Sequence, residues 1–213
     1  MLHKVAASGY TDGVSAQPPS LRAEQVAQTR AALVAAGRLL FGRDGFAATS
    51  VEDLARAARV TTGALYHHFP TKTKLFEAVF EAAHAELMAA SAQAAVSAPD
   101  ELEFLIRGFD AFLDAILAPD LQRIVIIDAP AVLGLARFTE LDERYAATAV
   151  VESLEAATRS GLLRVDDSET LARLLFGAVT RGAMLIANSA NPVATKDAVA
   201  KTLRAMLAGF EPG

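Results

Sequence analysis

Polar and aromatic side chains crowd into one short segment of the chain, residues 61–75, which reads TTGALYHHFPTKTKL. The segment holds four threonines, two adjacent histidines, a tyrosine and two lysines, whereas the runs at 31–40 and 82–95 are plain alanine-rich, helix-forming sequence. Hydroxyl, imidazole and ammonium groups are hydrogen-bond donors that suit phosphate oxygens and the edges of bases. The residue types therefore indicate a binding surface, which the surrounding elements must hold in place.

Helix start and stop signals divide this part of the chain into four predicted helices. The first covers 22–42 and ends at the two glycines of GRDGF. Thr49 with Glu52 three residues later is a capping-box pattern, so the second helix is predicted to begin at Thr49. Thr61 is expected to cap a short third helix, which a Phe-Pro pair ends within two or three turns, and Thr71 to cap a long fourth.

The second and third helices are short and joined by a tight turn, which matches a helix-turn-helix unit. Helical geometry places Leu65 and Phe69, four residues apart, on the inward face of the third helix. The neighbouring polar residues then fall on the other faces, where a ligand can reach them. Gly63 would let the helix backbone approach the floor of a groove closely.

The polar residues of this unit have the chemistry that DNA binding requires. Threonines at helix starts lie beside unpaired backbone N–H groups and the positive end of the helix dipole, which favours phosphate. Tyr66 and His68 can donate to phosphate, whereas Thr62 and His67 can reach base edges. The predicted DNA contacts are Thr49, Thr61, Thr62, Gly63, Tyr66, His67, His68 and Lys72.

The histidine pair, His67 and His68, also raises the possibility of a metal site. Adjacent residues of a helix point about 100° apart, and no further ligand is in register with the pair. We therefore expect no metal at these histidines, and no cofactor is predicted.

The charge is distributed unevenly along the chain, whose formal net charge is −5. Residues 22–76 hold eight Lys/Arg against four Asp/Glu, and residues 77–213 hold eleven against twenty. A basic N-terminal part is thus attached to an acidic body, which suggests that one end meets a polyanion.

The composition favours an all-helical, soluble protein. Apolar residues make up 53% of the chain, and period-two alternation of β-formers is almost absent. The absence of cysteine fits a reducing cytoplasm, the first residues lack the apolar core of a signal peptide, and the apolar runs are short of a membrane span. No Gly-rich phosphate loop, nucleophile elbow or HExxH stretch occurs, so we expect no enzyme.

The segment TSVEDLARAARVTTGALYHHFPTKTKLFEAV resembles the DNA-binding region of TetR-family transcriptional repressors. The turn departs from the family pattern, because Arg59 stands where the family usually has glycine. Arg59 is expected to adopt a left-handed conformation at a cost of about 1 kcal/mol. The matching elements are Thr49, Leu54-Ala55, Val60, Gly63, Leu65-Tyr66, His68-Phe69, Lys72 and Leu75.

The resemblance implies an all-α homodimer that represses transcription on palindromic double-stranded DNA. Residues 22–70 would form the three-helix DNA-binding domain with its helix-turn-helix, and residues 71–213 a larger helical domain for effector binding and dimerisation. Residues 1–21, rich in Gly, Ser and Pro, read as a flexible tail. The helices near 168–189 and 192–209 would pack against the partner's, helped by small residues: Gly177, Ala178, Gly182, Ala183 and Ala187.

Two charged residues in the body, Asp128 and Arg181, bear on the effector site. Asp128 and Arg181 each interrupt an apolar run, so they either pair structurally or face solvent, or else line a pocket with polar needs. The pocket hypothesis places them beside four phenylalanines, Phe104, Phe109, Phe112 and Phe176. The apolar body favours an apolar or amphipathic small molecule. The alternative function is a helical small-molecule-binding or scaffolding protein without operator binding.

Overall fold

The computed structural model describes residues 20–212, apart from the side chains at 143 and 145–147. The predicted flexible tail lies outside the described residues except for its last two positions. Within the described part of the chain the secondary structure is helical and contains no strand. The predicted all-α fold class is confirmed.

Four helices make up the N-terminal part, and a shared apolar core holds them together. They are α1 (Leu21–Asp44), α2 (Val51–Ala57), α3 (Thr62–His68) and α4 (Lys72–Ala95). Leu54 of α2 and Leu65 of α3 are fully buried in this core. Phe41, Phe46 and Phe76 form an aromatic cluster with ring centroids 5.3–5.7 Å apart, which fastens the loop after α1 to α4.

The helix starts agree with the sequence prediction at two of three positions. Thr61 Oγ1 accepts from the N–H of Ala64, and Thr71 Oγ1 accepts from the N–H of Lys74, so both cap the following helix. The predicted capping box at Thr49 is wrong by one residue. Ser50 is the N-cap of α2, because its hydroxyl accepts from the N–H of Asp53 at 3.1 Å and donates to the Asp53 carboxylate at 2.6 Å.

The turn between α2 and α3 has the predicted left-handed residue. Arg59 has φ 57°, the one positive φ among the described non-glycine residues. The N–H of Val60 then donates to the carbonyl of Ala55, which closes the turn. The unusual arginine therefore leaves the helix-turn-helix geometry intact.

The body continues with six α-helices and one π-helical segment. These are α5 (Glu101–Ala115), α6 (Pro119–Leu121), the π-helix (Gln122–Asp128), α7 (Ala129–Leu133), α8 (Leu135–Arg159), α9 (Ser168–Ala187) and α10 (Pro192–Ala208). Helix α4 packs against both α1 and α5, so it belongs to the N-terminal part at its start and to the body at its end.

Helix α9 packs closely against α10 within one protomer. A Cβ at Gly182 would lie 2.5 Å from Val199 Cγ1, so this glycine lets the two helices approach. Gly182 and Ala183 are buried inside the protomer, which corrects the expectation that both face a partner. Length and composition alone would let α9 cross a membrane, as they do for core helices of soluble proteins; here its inner face joins the helical core.

The opposite face of α9 is exposed. Leu174, Gly177, Arg181 and Leu185 follow one another at steps of three and four residues, so they form one stripe along the helix. Leu174 is 64% exposed and Leu185 is 48% exposed. We call these four residues the outer stripe of α9.

Candidate DNA-binding surface and body cavity

Helix α3 presents five of the predicted DNA contacts to solvent. Its inner side is closed by Leu65, which is fully buried, and by Phe69, which follows the helix and stacks under the guanidinium of Arg30 at 4.3 Å. The exposed side carries Thr61, Thr62, Gly63, Tyr66 and His67, which we call the α3 surface. Tyr66 is 49% exposed although it is a large aromatic residue. His68 is half-buried at the edge of this surface.

Gly63 has no structural reason to be glycine. A Cβ at this position would meet nothing closer than Thr61 Oγ1 at 3.8 Å, and the backbone is ordinary right-handed helix. Glycine in a helix is less favourable than alanine by about 0.8–1.0 kcal/mol. The protein therefore keeps a residue that weakens α3, at the centre of its most exposed face. Glycine at this position leaves the helix backbone open to close approach from outside.

The side chains of two predicted DNA contacts, Thr49 and Lys72, make hydrogen bonds inside the protein. Thr49 is buried, and its hydroxyl donates to the carbonyl of Gly45 at 2.8 Å, so its side chain is not available to phosphate. Lys72 Nζ donates to the carbonyls of Phe46 and Thr49 at 2.8 and 2.9 Å and lies 4.2 Å from the centre of the Phe46 ring. Lys72 thus anchors the loop between α1 and α2 to the first turn of α4, and its phosphate contact stays a prediction.

The rings of His67 and His68 point in different directions. Their rings are 5.6 Å apart and nearly perpendicular, and His67 points to solvent while His68 is partly covered. Among the residues that the structure describes, no group of three or more His, Cys, Asp and Glu side chains could hold a metal ion. This arrangement leaves both imidazoles as hydrogen-bonding groups on or beside the α3 surface.

A cavity of about 310 Å³ opens in the body between α4, α5, α8 and α9. Its walls are mostly apolar, and Met88 of α4 lies among them. The structure brings the four predicted phenylalanines together here: Phe104, Phe109, Phe112 and Phe176 all line the cavity. Phe109 and Phe112 are spaced by one helical turn on α5, which is why their rings reach the same space.

Asp128 and Arg181 do not line this cavity, so their predicted place in it is wrong. Asp128 ends the π-helix, and its carboxylate accepts from the N–H of Phe46 at 2.8 Å, far along the chain in the loop after α1. Arg181 belongs to the outer stripe of α9 and faces solvent. The sequence could not predict these two positions. A single charge within an apolar run does not indicate which face of the helix the charged residue occupies.

The cavity has a polar end that the sequence did not reveal. Asp142 of α8 has one carboxylate oxygen 3.0 Å from His84 Nε2 and accepts from the hydroxyl of Thr180 at 3.2 Å through the other. His84 is 1% exposed, and its ring stacks on that of Phe80 at 5.4 Å. The three residues come from α4, α8 and α9, so no local spacing could have indicated them. We call His84, Asp142 and Thr180 the polar end of the cavity.

Helix α4 connects the cavity to the helix-turn-helix, and α8 runs beside it. Glu77 of α4 is buried, and its carboxylate accepts hydrogen bonds from Lys74 Nζ at 2.7 Å and from Arg137 Nε at 2.9 Å. Burial raises the pKa of the Glu77 carboxyl, but the hydrogen bonds from Lys74 and Arg137 and the attraction of their charges outweigh it and hold the pKa below its ordinary value. Arg144 of α8 lies 3.4 Å from Glu81 in the next turn of α4.

Both the N-terminal part and the body of the chain match models of known protein families. Residues 33–79 match the model for bacterial regulatory proteins of the TetR family, a range that covers the second half of α1, all of α2 and α3, and the start of α4. Residues 102–210 match the tetracyclin repressor-like C-terminal domain. The second match covers the helices that form most of the cavity and the outer stripe of α9.

Two relatives are similar to this chain over more than two thirds of its length. The chain is 32% identical to the HTH-type transcriptional regulator CymR of Pseudomonas putida over 74% of its own length and 79% of the relative's. It is 26% identical to the transposon Tn10 TetC protein of Escherichia coli over 72% of its length and 78% of the relative's.

A solved structure agrees with these matches. A TetR-family transcriptional regulator from Pectobacterium atrosepticum superposes with a TM-score of 0.80 at 33% identity, covering 89% of this chain and 97% of that one. Proteins of this family bind operator DNA through the helix-turn-helix and form dimers. The chain described above belongs to the TetR family of transcriptional regulators.

Proposed function

We propose that the protein is a cytoplasmic, homodimeric repressor that binds a palindromic operator and releases it when a small molecule occupies the body cavity. The observation that carries the DNA-binding part is the α3 surface, where an unneeded glycine lies among exposed hydrogen-bond donors. A helix with this profile fits a major groove, with one α3 for each half-site.

The residues of the α3 surface divide by the part of DNA that each can reach. Thr61 lies at the N-terminus of α3, where free N–H groups and its own hydroxyl suit a phosphate. Tyr66 would donate its phenol to the backbone as well, while Thr62 and His67 would contact base edges. Phosphate contacts fix the position of the helix, and base contacts give the sequence preference.

The second protomer would pack on the outer stripe of α9 together with α10. Leu174 and Leu185 provide apolar area on this stripe, and Gly177 between them has open space where a Cβ would be. Such small residues let two helices approach closely. Salt bridges from Lys196 to Asp114 and from Arg204 to Asp110 hold α10 against α5 on its other side.

The cavity is suited to regulation because α4 forms one of its walls. The first turn of the same helix holds the helix-turn-helix through Lys72, and Glu77 and Glu81 connect α4 to α8. A ligand that separates α4 from α8 would therefore displace the α3 surface relative to its twin in the dimer. Release of DNA follows if the ligand binds the displaced state more tightly than the operator-bound state.

A gel-shift experiment on the DNA upstream of the protein's own gene tests this proposal. We expect a sequence-specific complex that weakens steeply as salt is raised, because phosphate contacts release counterions. Unlabelled specific DNA should compete, and DNA of scrambled sequence should not. If the α3 surface gave no specific complex with this DNA or with any sequence selected from a random pool, the alternative of a helical ligand-binding or scaffolding protein would replace it.

A further inference from the structure

We propose that the effector is a small, uncharged aromatic molecule with one hydrogen-bond donor, of the phenol type, whose donor binds the carboxylate of Asp142. The proposal rests on the body cavity being the effector site. It adds the chemical class of the ligand, which the position of the cavity alone does not give.

The size and walls of the cavity favour one or two aromatic rings. A volume of about 310 Å³ lies at the lower end of the range of roughly 300–1,000 Å³ for small-molecule sites. Phenylalanine rings from α5 and α9 face this space, and aromatic rings pack well against one another in offset or edge-to-face contacts. A volume of this size favours a small ring system over a long chain or a large fused-ring system.

The polar end gives the ligand its orientation. The oxygens of the Asp142 carboxylate accept hydrogen bonds. Its two oxygens have about four acceptor positions, and the contacts to His84 and Thr180 use only part of this capacity. Ser91, elsewhere in the wall, already donates its hydroxyl proton to the carbonyl of Leu87. A ligand hydroxyl is the complementary group for Asp142.

The charge of the polar end disfavours ionised ligands. An aromatic carboxylate would bring a second negative charge to Asp142 in apolar surroundings, where like charges repel strongly. A protonated amine would have to leave water for a site whose walls are mostly apolar, where the Asp142 carboxylate already has His84 Nε2 at 3.0 Å and Thr180 as hydrogen-bond partners. A neutral donor avoids both penalties.

The position of the polar end also explains why a ligand bound there would be sensed. His84, Asp142 and Thr180 belong to α4, α8 and α9, so a donor inserted among them contacts three helices at once. On α8, Asp142 lies two residues before Arg144 and five after Arg137, which reach Glu81 and Glu77 on α4. Ligand contact is thus adjacent to the ion pairs that join α4 to α8.

Binding of three probes to the DNA-free protein, measured by calorimetry, tests the proposal. The probes are 4-ethylphenol, ethylbenzene, which lacks the donor, and 4-ethylbenzoate, which carries a negative charge. We expect 4-ethylphenol to bind at least about tenfold more tightly than either of the others, as one hydrogen bond to a charged group allows. Equal binding of ethylbenzene, tighter binding of 4-ethylbenzoate, or binding of none of the probes would each overturn the proposal.

The variant Asp142→Asn provides a readout that loss of structure cannot imitate. It should weaken 4-ethylphenol and strengthen 4-ethylbenzoate, because the repelling charge is gone while the shape of the side chain is kept. Asp166→Asn makes the same chemical change at an exposed position between α8 and α9 and should alter neither affinity. A parallel loss or no change for both probes in Asp142→Asn would contradict the assignment.

Operator release is measured separately, by fluorescence anisotropy of labelled DNA, so that the two proposals fail in different ways. If 4-ethylphenol binds with the expected selectivity and no operator is found, the ligand class stands and the repressor function falls. If an operator is bound specifically and the probes do not bind, the repressor stands and the ligand class falls.

Discussion

The α3 surface and the body cavity place their polar residues in opposite ways. On α3, polar residues of one continuous segment face solvent, around a glycine that the fold does not need. In the cavity, His84, Asp142 and Thr180 come from three separate helices and lie at the end of a mostly apolar space. The first arrangement suits a rigid partner of fixed shape, and the second suits a small molecule that must be enclosed. The helix α4 belongs to both.

Two glycines make this comparison testable, since each lies in a helix with space where a Cβ would be. Gly63→Leu would place a side chain on the exposed α3 surface, where its Cβ would meet nothing closer than Thr61 Oγ1 at 3.8 Å. We expect operator affinity to fall on the order of 100-fold, about 2.7 kcal/mol, because the helix can no longer approach the groove. Stability should rise slightly, by up to about 1 kcal/mol, from better helix propensity.

Fluorescence anisotropy for DNA and urea unfolding for stability check this pair of outcomes. Gly63→Ala serves as the smaller step and should lie between the wild type and Gly63→Leu in affinity. An unchanged affinity in Gly63→Leu would mean that α3 does not approach DNA closely.

Gly108→Leu is the matching change in the cavity. Gly108 lies on α5 in the wall, and a Cβ there would meet no atom within 4 Å. The leucine should fill part of the space, so ligand affinity is expected to fall about tenfold or more while operator affinity stays within about twofold. The result would be a repressor that holds its operator in the presence of ligand. A fall in operator affinity of the same size would show that the two regions are not separate.

Lys72→Met tests the internal role that the structure gives this residue. Methionine keeps the length of the side chain but removes the donors to the carbonyls of Phe46 and Thr49. We expect a loss of about 1–3 kcal/mol in the free energy of unfolding, as for other hydrogen bonds from charged groups. Lys74→Met, at an exposed lysine of the same helix, is the control and should lose less. Equal stability with weaker DNA binding would restore the predicted phosphate contact as the main role.

Glu77 should add a small dependence of stability on pH at the junction of the two regions. Its pKa is held below the ordinary value of 4.5 in the folded protein, so the unfolded chain takes up its proton first as pH falls. The stabilisation is therefore complete above about pH 5 and decreases as pH falls through 4.5 towards the lower folded value. In Glu77→Gln the stability between pH 3 and pH 5 should change less steeply than in the wild type, as measured by thermal unfolding. Identical slopes would exclude this contribution.

The helices and the turn of the N-terminal part could be predicted because their sequence signals are local. Helix caps, the left-handed Arg59 and the inward Leu65 all depend on residues within a few positions of one another. The misplaced N-cap was a local error, since Ser50 rather than Thr49 caps α2. The hydrogen bonds of Lys72 could not be predicted from local signals, because the carbonyls that accept them lie more than twenty residues earlier in the chain.

For the body, the sequence predicted helices with apolar faces but not how those helices pack together. The phenylalanines of the cavity could be predicted because large apolar residues at helical spacing must meet somewhere inside. Asp142 could not, because its partners are 38 and 58 positions away, and nothing local separates it from other acidic residues of α8. Asp128 was misplaced for the same reason, since its partner, the Phe46 N–H, is 82 positions away.

Selection of bound sequences from random DNA tests the central claim most directly. We expect the wild-type dimer to enrich an inverted repeat whose half-sites lie about one helical turn, or a multiple of it, apart, and Gly63→Leu to enrich none. Enrichment of the same repeat by Gly63→Leu, or of no repeat by the wild type, would contradict the assignment of the α3 surface to DNA.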